Sequence, residues 1–270
     1  MIKTCEEFAL SHNLKFSTDP DPRKCKTKTL AFLKKPRPLP NLVLCGNPLP
    51  WTDKCKHLGI NIENRIDGCE YDMKVKNAQY INKNIELNQE FFFAHPSTKI
   101  RINKIYNSHY SGSTLWNLFG KGALSIESSY NRSVKVMLDL SYATHRSLIQ
   151  PLTGDPHIKI SLIKRFVSFI EKIKSSQKMA LKMLVTESLK DVRSVTGSNF
   201  RNIMILVGKT KVEDVQLQDL TKISYFKLDD KDKWKVGMIN EILDIKANQM
   251  EVPGFESEEL EALLHHICTE

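Results

Sequence analysis

The apolar positions of this chain change their spacing near residue 66. Before it they come in short runs of strand length: 29–33 (Thr-Leu-Ala-Phe-Leu), 42–44 (Leu-Val-Leu), and 57–62, which alternates as a half-buried strand does. Turn chemistry separates these runs. Asp19-Pro20-Asp21-Pro22 precedes the first, Pro36, Pro38 and Pro40 follow it, and Gly46-Asn47-Pro48 ends the second. Proline fixes φ and removes a backbone donor, so the connection through 36–40 excludes helix. Strands this short bury too little to stand alone and read as one end of a sheet.

From Cys69 onward the spacing becomes helical. Helices are predicted over 72–93, with Val75, Ala78, Ile81, Ile85 and Leu87 as the apolar positions, and over 97–109, 122–140, 142–150, 176–191 and 199–207. The strongest stripe lies in 155–175, where Ile158, Ile160, Leu162, Ile163, Phe166, Phe169, Ile170 and Ile173 recur as one amphipathic face. Another helix is predicted over 257–267, with Ser257 as its cap and Glu258 and Glu259 in the positive first turn. The predicted class is α+β, mostly α, divided at 1–66, 67–209 and 210–270.

Charge sharpens this division. The chain has 270 residues, with 40 Lys and Arg against 31 Asp and Glu, a net of +9. Residues 210–270 hold 7 basic and 14 acidic side chains, leaving 33 basic and 17 acidic in 1–209, a net of +16. A body so charged repels itself unless a polyanion is its normal partner. The acidic segment reads as a solvated tail or as a surface for a protein partner.

Composition excludes other classes. Hydrophobic residues make up 41% and charged residues 26%, as in an ordinary globular protein. No apolar stretch is long enough to span a membrane, and acidic Glu6 and Glu7 stand where a secretion signal needs an apolar run. The expectation is an intracellular protein, nuclear or cytoplasmic, not secreted and without a membrane partner. The six cysteines are scattered with no Cys-x-x-Cys, and His265-His266 beside Cys268 reads as ordinary side chains rather than metal ligands.

There is no Gly-x-Ser-x-Gly elbow, Gly-rich phosphate loop or His-Glu-x-x-His. Asp229-Asp230 is followed by Lys231-Asp232-Lys233 and has Lys227 two positions before it, which reads as a solvated turn rather than a two-metal site. More informative are cations interleaved with aromatics: Arg101, Lys104, Tyr106, His109 and Trp116, then Arg132, Lys135, His145 and Arg146. Such cations neutralise phosphates, and exposed aromatics stack on unpaired bases. Tyr106 and Trp116 are equally suited to a core.

Several segments, in order, resemble the C-terminal part of the reverse transcriptase of non-LTR (LINE-type) retrotransposons. His12-Asn13-Leu14-Lys15-Phe16 followed by Lys26-Thr27-Lys28-Thr29-Leu30-Ala31-Phe32 is similar to the palm motif with a lysine before an apolar strand. Residues 45–51 (Cys-Gly-Asn-Pro-Leu-Pro-Trp) and Lys56-His57-Leu58-Gly59-Ile60 resemble the next hairpin, the primer grip. Asp72-Met73-Lys74-Val75-Lys76 looks like the start of the thumb, and Asn131 to Met137, Ala143-Thr144-His145-Arg146 and Arg165-Phe166 look like the helical region after it. The likeness covers roughly residues 8–207.

This resemblance implies a palm remnant in 1–66, a thumb and post-thumb region in 67–209, and an acidic segment without counterpart. In the family the metal-binding aspartates precede the lysine motif, so the carboxylates that hold Mg2+ are absent here and no cofactor is expected in this chain. Lys26, which in the family stabilises charge near the leaving pyrophosphate, becomes a relic, and no complete catalytic set is expected. Lys28, Lys56, His57 and Gly59 would contact the primer end, with Gly59 allowing close backbone approach. The expectation is a truncated, polymerase-inactive fragment that binds an RNA template or RNA–DNA hybrid through Lys28, Lys56, His57, Gly59, Arg101, Lys104, Arg132, Lys135, His145 and Arg146. The alternatives are an incomplete gene model of an active RNA-directed DNA polymerase and a host-adopted protein-interaction module.

Overall fold

The computed structural model describes residues 2–21, 23–32, 38–64, 70–106, 110–154, 156–211, 215, 217–221, 230–247 and 257–269. It is 62% helical, with two small antiparallel strand pairs among the described residues, and so is α+β and mostly α. The chain forms two compact units, Met1–Asp72 and Met73–Glu270.

The first unit holds α1 (Ile2–Ser11), which the apolar pattern did not announce, and four short strands: β1 (Val43–Leu44), β2 (Asn47–Pro48), β3 (Lys54–His57) and β4 (Ile60–Glu63). β1 pairs with β2 and β3 with β4, both antiparallel. The single strand expected over 57–62 is instead a hairpin, turning at Leu58 and Gly59. Both have positive φ, 48° and 81°, as Cys45 and Gly46 do in the β1–β2 turn with 51° and 77°. Two successive left-handed residues are the type I′ geometry, whose twist suits a two-residue hairpin. The run expected over 29–33 forms no ladder; Thr29 makes one parallel bridge to Trp51, and Leu33 lies outside the described residues. Among the described residues of the unit, Ala9, Cys25, Leu44 and Leu49 are the buried apolar ones, and the Glu6 carboxylate accepts the Cys45 N–H. Fully buried Asp72 accepts both the backbone N–H and the Nδ2 of Asn61 at 2.9 Å.

Nearly all of α2 (Glu70–Glu90) and all of α3 (Pro96–Tyr106), α4 (Lys121–Met137), α5 (Arg146–Thr153), α6 (Ile158–Ser175), α7 (Met179–Lys190), α8 (Val195–Val207), α9 (Asp230–Ala247) and α10 (Ser257–Thr269) belong to the second unit. Helix α2 turns only the ends of its predicted apolar stripe inward, Leu87 fully and Val75 in part. Met73, Lys76, Tyr80, Asn84 and Leu87 are buried, whereas Ala78, Ile81 and Ile85 are exposed. The buried set keeps a three- and four-residue spacing, but two of its members are polar and therefore invisible to a hydrophobic count.

Two interiors organise this unit. One joins Ile160, Leu162, Ile163, Phe166, Val167 and Ile170 of α6 to the short helical turn Ser113–Leu115 and to Phe200 of α8, while α7 lies against α6 without burying a residue. The Asn199 side chain stitches it, donating Nδ2–H to Trp116 O at 2.7 Å and accepting Leu118 N–H at 2.9 Å. The other gathers Ile100, Val134, Met137, Leu148 and Ile149 with Ile239, Ile242 and Leu243 of α9 and Leu264, Ile267 and Cys268 of α10. The division expected at residue 209 is therefore not a structural one, and a solvated tail is not what the described part of 210–270 forms. Lys246 fastens it further, with Nζ 3.1 Å from Asp139 and 3.2 Å from Glu261. Helix α9 itself escaped prediction, and its first residue is Asp230; Leu228 and Asp229 lie outside the described residues.

Candidate nucleic-acid interface

In the first unit the loop before Thr29 presents Lys26 and Lys28 to solvent on either side of the half-buried Thr27, while Cys25 is buried. Lys56 and His57 are exposed at the end of β3, and Gly59 follows in the turn. No protein atom lies within 4 Å of where a Cβ at Gly59 would stand. The backbone needs glycine there for its φ, not for a close approach within the protein. Leu58 beside it holds a left-handed conformation with its side chain 88% exposed.

In the second unit the predicted cations divide by element. Arg101 and Lys104 lie on the exposed side of α3, which packs against α4. Arg132 on α4 is exposed and lines a cleft of about 320 Å³ with Ile81, Asn84 and Ile85 of α2. Lys135 leans the other way, to the connection into α5, where Nζ donates to Tyr142 O at 2.7 Å and sits 5.6 Å from the Tyr142 ring centroid. Burial, and then the Arg146 charge, push the Lys135 pKa down. The His145 N–H donates to the carbonyl of Cys268, so α10 ends against the start of α5. Exposed Arg146 lies 3.7 Å from Glu127. Thus Lys135, His145 and Arg146 share one locality, while Arg132 faces α2.

The aromatic half of the pattern resolves differently. Trp116 is 0% exposed and meets Tyr110 edge-on with centroids 6.0 Å apart, so it is core and not a stacking platform. The Tyr106 side chain and His109 lie outside the described residues. Tyr80 stacks on Tyr110 and Tyr130, at 5.2 and 6.3 Å, beneath the α2–α4 surface. Burial pushes the Tyr80 phenol up to about 12, and burial with the neighbouring tyrosines raises Tyr110 further still.

Sequence reasoning missed Lys235. It is only 6% exposed, on the α9 face that also buries Ile239 and Ile242. Its charge, like that of Lys135, acts on the Cys268 thiol, although burial dominates and raises that thiol's pKa. The available signal was its place four and seven residues before two core isoleucines.

Among the described residues, no group of three or more His, Cys, Asp or Glu side chains is placed to hold a metal ion. Asp19 and Asp21 instead accept backbone N–H groups two residues on, at 2.8 and 3.0 Å, as turn residues do. Among the described residues no helix is long and apolar enough to cross a membrane. Comparison of the chain with protein-family models, with curated proteins and with solved structures finds no match.

Proposed function

We propose that the chain binds nucleic acid, an RNA template or RNA–DNA hybrid, without strong sequence preference, and that it derives from the C-terminal part of a non-LTR reverse transcriptase without polymerising by itself. The observation that carries the binding is the charge of residues 73–209, where 21 Lys and Arg meet only 8 Asp and Glu. Among those cations Arg101, Lys104 and Arg132 are exposed on the adjacent helices α3 and α4, and Arg146 opens α5. Phosphate neutralisation by such residues releases counterions and supplies affinity that does not depend on sequence. The derivation has the support of the β3–β4 hairpin, which turns at Leu58-Gly59 within the segment that resembles a primer grip.

Fluorescence anisotropy with an RNA–DNA hybrid tests the binding. Arg101→Glu, Lys104→Glu and Arg132→Glu together are expected to abolish binding at moderate salt. Single changes to glutamine should lower the slope of log K against log salt by about one each. Unchanged affinity in the triple variant overturns the assignment of this face.

A second reading, a protein-interaction module, is favoured by one observation. None of the residues of α7 is buried, and Met179, Met183 and Leu184 are more than 60% exposed. Binding through that helix would depend little on salt, which separates the two readings.

A further inference from the structure

Three successive phenylalanines follow α2, and two of them stay in water. Phe92 and Phe93 are 74% and 75% exposed and meet edge-on, with ring centroids 5.6 Å apart. Leaving both rings exposed forgoes the burial of two of the larger apolar surfaces in the chain. Both line a cleft of about 710 Å³, whose other walls come from α2, the start of α3, the end of α4 and α9. That volume lies in the ordinary range of small-ligand cavities, about 300–1,000 Å³.

The cleft is not simply apolar. It shares Ile85, Asn88 and Val136 with the smaller cleft that Arg132 lines, so the two are parts of one groove between α2 and α4. Amide side chains run along the α2 wall, Asn84 and Asn88 followed by Gln89. Asn84 is buried, and its Nδ2 donates to the Tyr80 carbonyl at 2.9 Å. Its Oδ1, like that of Asn88, is buried and accepts no hydrogen bond among the described residues. Such an orphaned oxygen is costly, and the amide torsion is soft enough for an entering N–H group to meet it. Lys99 lines the larger part of the groove and Arg132 the smaller. Asp139, the one acid lining it among the described residues, is already paired with Lys246 at 3.1 Å.

Exposed aromatic faces, unsatisfied amide acceptors and positive charge together match one kind of ligand. A nucleobase out of its stack offers a π-face to the rings and N–H groups to the amides, and its phosphates meet the cations. An apolar side chain of a protein partner would cover the rings but offer nothing to the amides or the cations. We infer that the groove between α2 and α4, ending at Phe92 and Phe93, holds unpaired nucleotides of a single strand. The inference rests on the nucleic-acid reading above and goes beyond it, giving unpaired bases a place apart from the paired backbone that Arg101 and Lys104 meet.

Fluorescence anisotropy of the full chain tests the groove by comparing a blunt RNA–DNA hybrid with the same hybrid carrying a short single-stranded RNA extension. The extended hybrid is expected to bind about tenfold more tightly, an advantage within reach of one base stacked on an aromatic ring. Phe92→Ala combined with Phe93→Ala should remove that advantage and leave the affinity for blunt hybrid unchanged. Val136→Glu, at the exposed junction of the two clefts, should also lower the ratio of the two affinities. All three positions are exposed, and circular dichroism checks that the variants fold. Equal affinity for the two hybrids, or a preference for the extension that survives both variants, overturns the groove assignment and leaves the nucleic-acid reading standing. Failure of both hybrids to bind overturns the two together. Sedimentation of the parent and the double variant covers another occupant. An assembly of the parent that the double variant loses, without any preference for the extension, assigns the groove to a second copy of the chain and overturns the inference.

Discussion

Nε2 of His157 lies 3.3 Å from Oε1 of Glu127, and both side chains are buried where α6 begins against α4. The other ring nitrogen, Nδ1, accepts the Lys159 N–H and so caps α6. An accepting Nδ1 carries no proton, which places the proton of the neutral ring on Nε2, toward Glu127. Burial lowers the His157 pKa; Glu127 opposes this, and the charges of Lys159 and Arg146 add to it.

The sign of the pH effect follows. With the folded-state pKa below the unfolded value of about 6.5, the unfolded chain takes up the proton first as pH falls. Stability from this group is therefore undiminished above about pH 6.5 and declines below it, levelling once the folded ring is also protonated. His157→Asn keeps a capping acceptor but does not titrate, and is expected to flatten urea-unfolding stability between about pH 6.5 and 5. An unaltered slope would assign the acid loss to other groups.

Asn199 satisfies two buried backbone groups at once, the carbonyl of Trp116 and the N–H of Leu118. Asn199→Ala orphans both, and at about 1–3 kcal/mol per group the expected loss is about 3 kcal/mol, measured by urea unfolding. A loss below about 1 kcal/mol would mean that water replaces the amide.

Glycine within a helix usually costs about 1 kcal/mol relative to alanine, and at Gly197 that sign should reverse. A Cβ there would stand 2.3 Å from the Asp191 carbonyl oxygen and 2.7 Å from that of Ser188, both backbone atoms. Gly197→Ala is expected to destabilise by about 2 kcal/mol, because α8 can no longer approach the end of α7.

Leu58 offers the opposite case. An L side chain in the left-handed region costs about 1–2 kcal/mol, and this leucine gains little from packing. Leu58→Gly should raise the stability of the first unit by about 1 kcal/mol in a denaturant titration that follows Trp51. If Leu58 is retained for contact with hybrid, the same variant binds hybrid more weakly.

Removing the acidic segment should not leave a working basic body. Truncation after Gly208 strips Ile239, Ile242, Leu243, Leu264 and Ile267 from the interior that Ile100, Val134 and Leu148 share. Loss of cooperative unfolding by calorimetry is the expected outcome, and a sharp transition in the truncated chain would refute the shared interior.

The sequence was most legible where burial and hydrophobicity coincide. In α6, Ile158, Ile160, Leu162, Ile163, Phe166 and Ile170 are buried as their periodicity requires, and Phe169 and Ile173 are half-buried at the margins of that face. It was least legible where polar atoms do the packing. Lys76 and Asn84 take the inward side of α2 and displace Ile81 and Ile85 to the surface. The β3–β4 turn hid behind leucine, since Leu-Gly lacks the asparagine that usually marks such a turn. Helix α9 hid behind its charged opening, and Lys235 was legible only through its spacing of four and seven residues from Ile239 and Ile242. Of the site, the basic residues were nameable from charge alone, but their grouping depends on where each side chain reaches: Arg132 lines the cleft with α2, whereas Lys135, on the same face three residues on, extends to Tyr142 O.

Helix α7 lies against α6 and α8, yet none of its side chains is fully buried, and only Lys182, Val185, Ser188 and Leu189 are half-buried. Its amide hydrogens therefore have little tertiary free energy behind them and should exchange with deuterium well before those of α6. Opening of this one helix would expose little new apolar surface, so it can occur without the rest of the unit. A protease that needs an unwound substrate should find its first cut between Met179 and Lys190, with α4 and α6 still folded around their interiors.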